Sequence, residues 1–241
     1  MTAKMSNPFV FKQFTIHQDQ CAMKVGTDGV LLGAWTNIEC NPNSVLDIGS
    51  GTGIIALMLA QRSNAELIDA IEIEEDAYEQ CVENFENSPW SDRLFCYHAS
   101  LQEFTDEVEE KYDLIISNPP FYTDDFKSKN TQRDIARFSS AMPFKHLVKS
   151  VSKLLSENGK FTVIIPFKEE EQFITLASKV NLFPNRILRV KGNHNTEIKR
   201  SLLEFSFSKI EIKTEELTIE KGRHNYTNDY VNLTKDFYLK M

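Results

Sequence analysis

From residue 44 onward, short apolar runs alternate with longer segments in which apolar residues recur at helical spacing. The short runs have the length and composition of buried β-strands, and the longer segments are typical of helices. The predicted strands are residues 44–48, 66–73, 93–98, 112–117, 160–166, 186–190 and 201–207. The predicted helices are residues 54–61, 76–87, 143–157 and 169–180, and Asn158 and Gly159 are expected to close the third of them.

Repeated strand–helix alternation implies an open, mostly parallel sheet that is covered by helices on both faces. The last two predicted strands have no helix between them, so we expect them to form an antiparallel pair near one edge. The fold class is therefore α/β, with a seven-stranded sheet in a single domain. Within that domain we expect an N-terminal cap over residues 1–40, a core over 41–210 and a C-terminal extension over 211–241.

Length and composition exclude several classes of protein but do not indicate a function. The chain has 241 residues, a net charge of -8, 41% hydrophobic and 26% charged residues, which is typical of a globular protein. No apolar run is long enough to span a bilayer, and we see no secretory signal. Four scattered cysteines and five histidines without ligand spacing argue against a disulfide framework or a metal site. We therefore expect a cytoplasmic protein with no membrane partner and no metal.

Three glycines, Gly49, Gly51 and Gly53, lie directly between the first predicted strand and the first predicted helix. Glycine permits a tight turn there and lets a ligand lie against the backbone. Glu72 follows Gly53 by 19 positions, at the end of the next strand, where a carboxylate can hold the two ribose hydroxyls of a nucleoside. The alternative is a tight strand–helix turn without a ligand, which does not account for the carboxylate at that position.

Two classes of cofactor, dinucleotides and S-adenosylmethionine, bind to this arrangement, and the presence of Asp47 distinguishes between them. A dinucleotide site wants G-x-G-x-x-G and places a pyrophosphate at the helix N-terminus, where a neighbouring carboxylate would be repulsive. The same carboxylate would attract the ammonium group of a methionine moiety, so the electrostatics favour S-adenosylmethionine over NAD. The segment from Asp47 to Gly53 resembles the first motif of the class I methyltransferases. That resemblance implies a Rossmann-like class I methyltransferase fold.

Asn118, Pro119, Pro120 and Phe121 end the fourth predicted strand, and two prolines cannot continue a central strand. They can simply terminate the strand, but the residue types also suit one reaction. An exocyclic amino group conjugated to a planar group is a poor nucleophile because its lone pair is delocalised. The side-chain oxygen of Asn118 and the carbonyl of Pro119 can accept its two hydrogens and favour a tetrahedral nitrogen. Phe121 can stack on the flat substrate.

This tetrapeptide is the signature of the amino-methyltransferases within the class I family. It implies methyl transfer to a nitrogen conjugated to a planar group, and no general base is needed before attack because the nitrogen becomes acidic once it is methylated. The motif does not by itself choose between a nucleic-acid base and a protein glutamine.

A wider resemblance narrows the substrate. The chain resembles the bacterial tRNA1(Val) adenine-37 N6-methyltransferase family over nearly its whole length. That similarity is carried by the motifs above and by residues 14–35, 87–90, 133–137, 200–205 and 233–239. It implies transfer of the methyl group of S-adenosylmethionine to N6 of adenine 37 in the anticodon loop. It also implies that Thr27 and Asp28 lie near the methionine end of the cofactor, although Asp28 can equally be a turn residue. Ala99 and Ser100 are the expected contacts of the cofactor adenine.

The charge is divided unevenly along the chain. Residues 1–120 carry 6 basic and 20 acidic residues, whereas residues 121–241 carry 21 basic and 15 acidic ones. A basic half beside Asn118 suits a polyanionic substrate such as tRNA, although it can also be only a solvated face. An unpaired base in a loop costs less to extrude than a paired one. The candidate RNA-binding residues lie in the long segment 119–142 and around a predicted hairpin turn: Lys127, Lys129, Arg133, Arg137, Lys191, Lys199 and Arg200.

Other hypotheses remain open on the sequence. The same chemistry serves methylation of guanine N2 in ribosomal RNA or of glutamine N5 in a protein. A non-catalytic RNA-binding module with the same fold and an NAD-dependent oxidoreductase are rivals of other classes. We expect a monomer.

Overall fold

The structure, a computed structural model, describes residues 7–120 and 143–241. In those ranges a small sheet of two strands, β1 (Phe9–Val10) and β2 (Thr15–Ile16), accompanies a sheet of nine. The nine are β3 (Ser44–Ile48), β4 (Leu67–Glu72), β5 (Leu94–His98), β6 (Tyr112–Ser117), β7 (Leu155–Pro166), β8 (Phe183–Asn193), β9 (Ile198–Ser206), β10 (Lys213–Gly222) and β11 (Asn225–Tyr226). The helices are α1 (Thr27–Trp35), α2 (Ile54–Arg62), α3 (Glu75–Glu86), α4 (Leu101–Glu107), α5 (Phe144–Leu154), α6 (Glu170–Ser178) and α7 (Asn228–Thr234).

The strand order of the large sheet is β11-β10-β8-β9-β7-β6-β3-β4-β5. Seven strands run in one direction, and only β9 and β11 are antiparallel to their neighbours. The predicted α/β class and the antiparallel pairing of the last two predicted strands are confirmed. The predicted count of seven strands is wrong, because β10 and β11 extend the sheet. The division into cap, core and extension stays a prediction.

Helices cover both faces of the large sheet, as predicted. Helices α1, α2, α3 and α7 pack with one layer of buried side chains, and α4, α5 and α6 pack with the other. Neighbouring residues of a strand point to opposite layers, so Val45 joins the first and Leu46 the second. Since both faces are buried, the strands read as continuous apolar runs, and this is why they were detectable in the sequence.

The third predicted helix is shorter than expected. It ends at Leu154 rather than at residue 157, and β7 begins at once with Leu155, which pairs with Tyr112 of β6. Gly159 does not close the helix in a left-handed conformation. A β-carbon on Gly159 would lie 2.8 Å from Cδ1 of Leu155, so the glycine instead makes room for that buried side chain within an irregular strand.

Several elements were not predicted, and one had a usable signal. Helix α4 begins with a capping box in which Ser100 Oγ accepts from the Glu103 N–H and the Glu103 carboxylate accepts from the Ser100 N–H. The S-x-x-E spacing in the sequence predicts the start of a helix of this kind. Strand β10 is rich in charged residues, and Leu217 is the one residue of that strand that is buried, so its pattern is weak.

The two ends of the described chain meet. Phe11 forms an isolated antiparallel bridge with Tyr238, and the Lys12 N–H donates to the carbonyl of Phe237 at 2.8 Å. The rings of Phe11 and Tyr238 stack with their centroids 5.8 Å apart. The N-terminal segment is therefore held by residues of the C-terminal segment.

Candidate active site at the carboxyl end of the sheet

The predicted site residues converge because four parallel strands end at the same edge. Ile48 of β3 pairs with Ile71 of β4 and with Ser117 of β6, and Glu72 pairs with His98 of β5. The residues that follow these strands therefore lie side by side, at the position where open α/β sheets bind ligands. The hydroxyl of Ser117 donates to the carbonyl of Ile48 at 2.9 Å and fixes β6 against β3.

The glycine loop has the backbone conformation that glycine alone adopts readily. Gly49, Gly51 and Gly53 have φ values of +73°, +54° and +75°. β-Carbons placed on Gly49 and Gly51 would meet no atom within 4 Å, so the space above these two residues is open. This open space beside an exposed backbone is what a bound nucleoside cofactor needs.

Gly53 has a different task. A β-carbon there would lie 2.6 Å from Cε1 of Phe85 and 2.8 Å from Sγ of Cys81, both on α3. Gly53 therefore lets the start of α2 approach α3 closely, while its neighbours keep the ligand side open.

Asp47 is fully buried at the end of β3. Its Oδ2 accepts from the Ala56 N–H at 3.2 Å, whereas Oδ1 has no hydrogen-bond partner among the described residues. Burial raises the pKa of Asp47 to about 7; the Ala56 N–H opposes this shift, and the charge of Glu72 adds to it. An unpaired buried acceptor costs free energy, so this site is prepared for a cation or a donor.

Glu72, at the end of β4, is also buried and is held by backbone donors. Its Oε2 accepts from the Gly51 N–H at 2.8 Å, and its Oε1 accepts from the N–H groups of Ile73 and Glu74 at 2.8 and 3.0 Å. The carboxylate thus faces the glycine loop in a fixed orientation. Oε2 has remaining acceptor capacity for a hydroxyl donor, whereas Oε1 already accepts two N–H groups.

The end of β5 contributes residues that already have structural partners. The N–H of Ala99 donates to the carbonyl of Glu72 at 3.1 Å, and Ser100 caps α4. The sequence did not single out Ile73, which directly follows Glu72 and is 51% exposed. The available sequence signal is an apolar residue directly after the acidic residue of the second predicted strand, a position suited to an apolar contact with a flat ligand.

Asn118 follows β6 directly and is half-buried, and Pro119 is buried. No described residue hydrogen-bonds to the side chain of Asn118. Because β6 is the neighbour of β3, Asn118 lies beside the glycine loop. Phe121 and the basic residues Lys127, Lys129, Arg133 and Arg137 lie outside the described residues.

Thr27 and Asp28 form the first turn of α1, which packs along α2. The site of a β-carbon on Gly29 is 3.4 Å from Cγ2 of Ile54, and the corresponding site on Gly33 is 2.8 Å from Sδ of Met58. The first turns of the two helices therefore lie together, and Asp28 is at the glycine-loop end. Both residues were expected there by resemblance only.

The basic residues of β8 and β9 are mostly engaged with carboxylates. Lys191 pairs with Glu216 at 3.5 Å, and Nε of Arg200 pairs with Oδ2 of Asp28 at 2.8 Å. Arg189, which was not a candidate, pairs with Glu170 at 2.7 Å, and this hydrogen bond raises the pKa of Arg189. Lys199 is exposed, and its side chain has no ion pair or hydrogen bond among the described residues.

The observed residues fit S-adenosylmethionine. The unpartnered Oδ1 of Asp47, the open space over Gly49 and Gly51, and the fixed Glu72 carboxylate match an ammonium group, a close backbone approach and a ribose. Within residues 7–120 and 143–241 no cluster of three or more metal-ligating side chains occurs. Over the same ranges no helix has the length and apolar character needed to cross a membrane.

Comparisons with known proteins agree with this geometry. The family model of the methyltransferase small domain matches residues 26–181. A protein of Christiangramia forsetii named tRNA1(Val) (adenine(37)-N6)-methyltransferase is 62% identical over 240 residues, covering 98% of this chain and all of the relative.

Two solved structures show the same fold at low sequence identity. A predicted O-methyltransferase of Agrobacterium tumefaciens has a TM-score of 0.69 at 16% identity, with 87% of this chain and 96% of that chain covered. TYW2 of M. jannaschii in complex with AdoMet has a TM-score of 0.55 at 16% identity, with 85% and 87% covered.

Proposed function

The chain belongs to the tRNA1(Val) (adenine(37)-N6)-methyltransferase family, and from this premise we propose that it methylates N6 of adenine 37 in the anticodon loop of tRNA1(Val). It is a methyltransferase of the class that uses S-adenosylmethionine. The observation that carries the proposal is the position of Asn118. This residue follows β6 beside the glycine loop, and no described residue hydrogen-bonds to its side chain.

One group of residues binds the cofactor, and a second group acts on the substrate. S-adenosylmethionine, when bound, supplies an electrophilic methyl group. Asp47 and Asp28 hold the ammonium end of the cofactor, and Glu72 holds the ribose hydroxyls, with the backbone of Gly49 and Gly51 against the ligand. Gly53 positions the loop by its packing on α3.

Asn118 and Pro119 act on the substrate. The Oδ1 of Asn118 and the carbonyl of Pro119 accept the two hydrogens of the adenine amino group, which weakens conjugation of the nitrogen lone pair with the ring. Pro120 fixes the direction of the chain after these acceptors, so they do not need to reorganise during the reaction. Phe121 stacks on the adenine.

The candidate contacts of the cofactor adenine follow β5 and β4. Ala99 and Ser100 stay candidates, but the N–H of Ala99 and the hydroxyl of Ser100 already have partners in the protein. The exposed side chain of Ile73 offers an apolar surface for the purine instead.

The RNA contacts in the proposal are Lys191 and Lys199 at the β8–β9 hairpin, together with Lys127, Lys129, Arg133 and Arg137. Support comes from the charge split and from the hairpin's location: Arg200 of β9 pairs with Pro166 at the carboxyl end of β7, the neighbour of β6. A tRNA substrate also supports the predicted cytoplasmic location. The location and the predicted monomeric state both stay predictions.

The test is nucleoside mass spectrometry. The purified protein and S-adenosylmethionine are incubated with unmodified tRNA1(Val) transcript and with a transcript in which adenine 37 is replaced by guanine. We expect N6-methyladenosine only in the first transcript. Methylation confined to guanine in ribosomal RNA, or to a glutamine in a release factor offered in parallel, would overturn the proposal.

A further inference from the structure

One ion pair joins two distant parts of the chain at the edge of the site. Nε of Arg200 donates to Oδ2 of Asp28 at 2.8 Å, across 172 positions of sequence. One Nη of the same guanidinium donates to the carbonyl of Lys199 at 3.1 Å. The side chains of Arg200 and Asp28 are only 28% and 29% exposed, so this charge-assisted bond is partly shielded from water.

Asp28 is at the cofactor end of this pair. It lies in the first turn of α1, next to Gly29, whose β-carbon position is within 4 Å of Ile54 and Ile55. Ile54 directly follows Gly53, the last glycine of the loop. The backbone of Asp28 is therefore close to the start of α2, directly after the glycine loop.

Arg200 is at the sheet end of the pair. It is near the start of β9 and pairs with Pro166, the last residue of β7. Helix α1 and the sheet edge are thus linked by the guanidinium at the carboxyl end, where the reaction takes place. The exposed neighbour Lys199 is the residue of this strand start whose side chain is directed to solvent.

We propose that Arg200 is a positioning residue of the cofactor site: it holds the carboxylate of Asp28 toward the ammonium group of the amino-acid moiety of S-adenosylmethionine. This assignment rests on the proposed function, and it replaces the expectation that Arg200 contacts RNA. Arg200 acts through Asp28, because without the guanidinium a partly exposed carboxylate is free to turn toward water. A planar guanidinium suits this task since it can donate to Asp28 and to a backbone carbonyl together.

The test compares two ligands by calorimetry on the full chain. S-adenosylhomocysteine carries the amino-acid moiety, and 5′-methylthioadenosine lacks it but keeps the nucleoside. For Arg200→Ala we expect S-adenosylhomocysteine to bind about tenfold more weakly, the size of losing one hydrogen bond to a charged group, and methylthioadenosine to bind unchanged. Arg200→Lys, which keeps the charge, should recover most of the affinity.

A double-mutant cycle and a matched control complete the design. Asp28→Asn should weaken S-adenosylhomocysteine to a similar extent, and adding Arg200→Ala to it should cause little further loss. Lys199→Ala, the adjacent exposed cation, should leave both ligands unaffected and raise only the KM for tRNA.

Three results would overturn the assignment. Equal weakening of both ligands in Arg200→Ala would show that the fold of the site had been damaged. Unchanged affinity for both ligands, with a higher KM for tRNA, would make Arg200 an RNA contact. Additive losses in the double variant would show that Arg200 does not act through Asp28. Each readout is separate from the identity of the methylated nucleoside, so failure here leaves the proposed function to its own test.

Discussion

The carboxylates of the glycine-loop region and the cations of the β8–β9 hairpin are held in different ways. Glu72 accepts three backbone N–H groups, so the loop itself fixes the orientation of this carboxylate. Arg186, Arg189 and Lys191 are instead paired with side-chain carboxylates. A backbone-held carboxylate has one orientation, whereas side-chain ion pairs can exchange their partners for phosphates.

A count of basic residues overstates the surface that this hairpin offers to a polyanion. The excess of basic residues after residue 120 predicts a polyanion surface. In the folded hairpin, however, several of those cations neutralise Glu204, Glu170, Glu216 and Asp28 within the protein. The RNA-binding capacity of this region is therefore smaller than its composition indicates. The prediction of a ligand site at the glycine loop is not weakened in this way, because it depends on backbone geometry and not on a count of charges.

The largest expected effect is at Asn118. Asn118→Ala removes one acceptor of the amino group and should lower kcat by about 100- to 1000-fold, as for the loss of one preorganised hydrogen bond at a reacting centre. The affinity for S-adenosylhomocysteine should be unchanged. Methyl transfer to tRNA and calorimetry check the two expectations.

Asn118→Asp is the matched control, since it keeps an acceptor oxygen and should retain more activity than the alanine variant. Wild-type turnover of Asn118→Ala would refute the role of this side chain.

The next largest effect is a difference in stability between substitutions of Gly53, which packs on α3, and of Gly51, which faces open space. Gly53→Ala should cost about 3 kcal/mol of unfolding free energy, because a left-handed residue gains a β-carbon within 3 Å of Phe85 and Cys81. Gly51→Ala has open space and should cost about 1 kcal/mol while it weakens cofactor binding. Urea unfolding measures both losses, and equal losses would mean that packing on α3 does not distinguish them.

Asp47 is expected to make the stability of the fold depend on pH. Its pKa in the folded protein is raised to about 7 from an ordinary value of 3.8, so the folded state binds the proton more tightly than the unfolded state. The contribution of this group to stability is therefore full at low pH and is lost as the pH rises toward 7.

Asp47→Asn has no such titration, so its Tm relative to the wild type should increase between pH 5 and pH 8. Thermal unfolding followed by circular dichroism checks this, with the exposed Asp92→Asn expected to follow the wild type. Parallel pH profiles for Asp47→Asn and the wild type would contradict the buried charge. The ammonium of the cofactor should favour the ionised carboxylate, so S-adenosylhomocysteine should bind the wild type more tightly at pH 7.5 than at pH 6.

The smallest effect is at the exposed hairpin cation. Lys199→Ala should raise the KM for tRNA only a few-fold and lower the salt dependence of tRNA binding by about one counterion. Binding assays at several salt concentrations measure the slope. An unchanged slope would show that RNA does not reach the hairpin turn.

The sequence predicted best the elements whose residues have one structural task. Strands β3, β4 and β6 are buried on both faces, and the glycine loop has positive φ values, so burial and backbone geometry are visible in the residue types. A buried leucine at position 155 fits the apolar spacing of the helix as well as it fits strand β7. The pattern therefore placed the helix end three residues too late.

Other features depend on contacts that no local pattern contains. The pairing of Arg200 with Asp28 joins residues of opposite chain halves, and strand β10 finds its place by pairing with β8. In a charged strand such as β10, long-range hydrogen bonding decides the structure, because the side chains bury little apolar area.

The meeting of the two chain ends has a consequence for biosynthesis. The side chain of Lys12 donates to the carbonyl of Lys235, 223 positions later, so the C-terminal part of the docking site for the N-terminal hairpin is absent while the intervening chain is being translated. At ordinary elongation rates this delay is on the order of 10 to 45 seconds. We expect the glycine-loop half to be assembled on the ribosome well before β1 and β2 are secured, which makes the attachment of the N-terminal hairpin a late step in maturation.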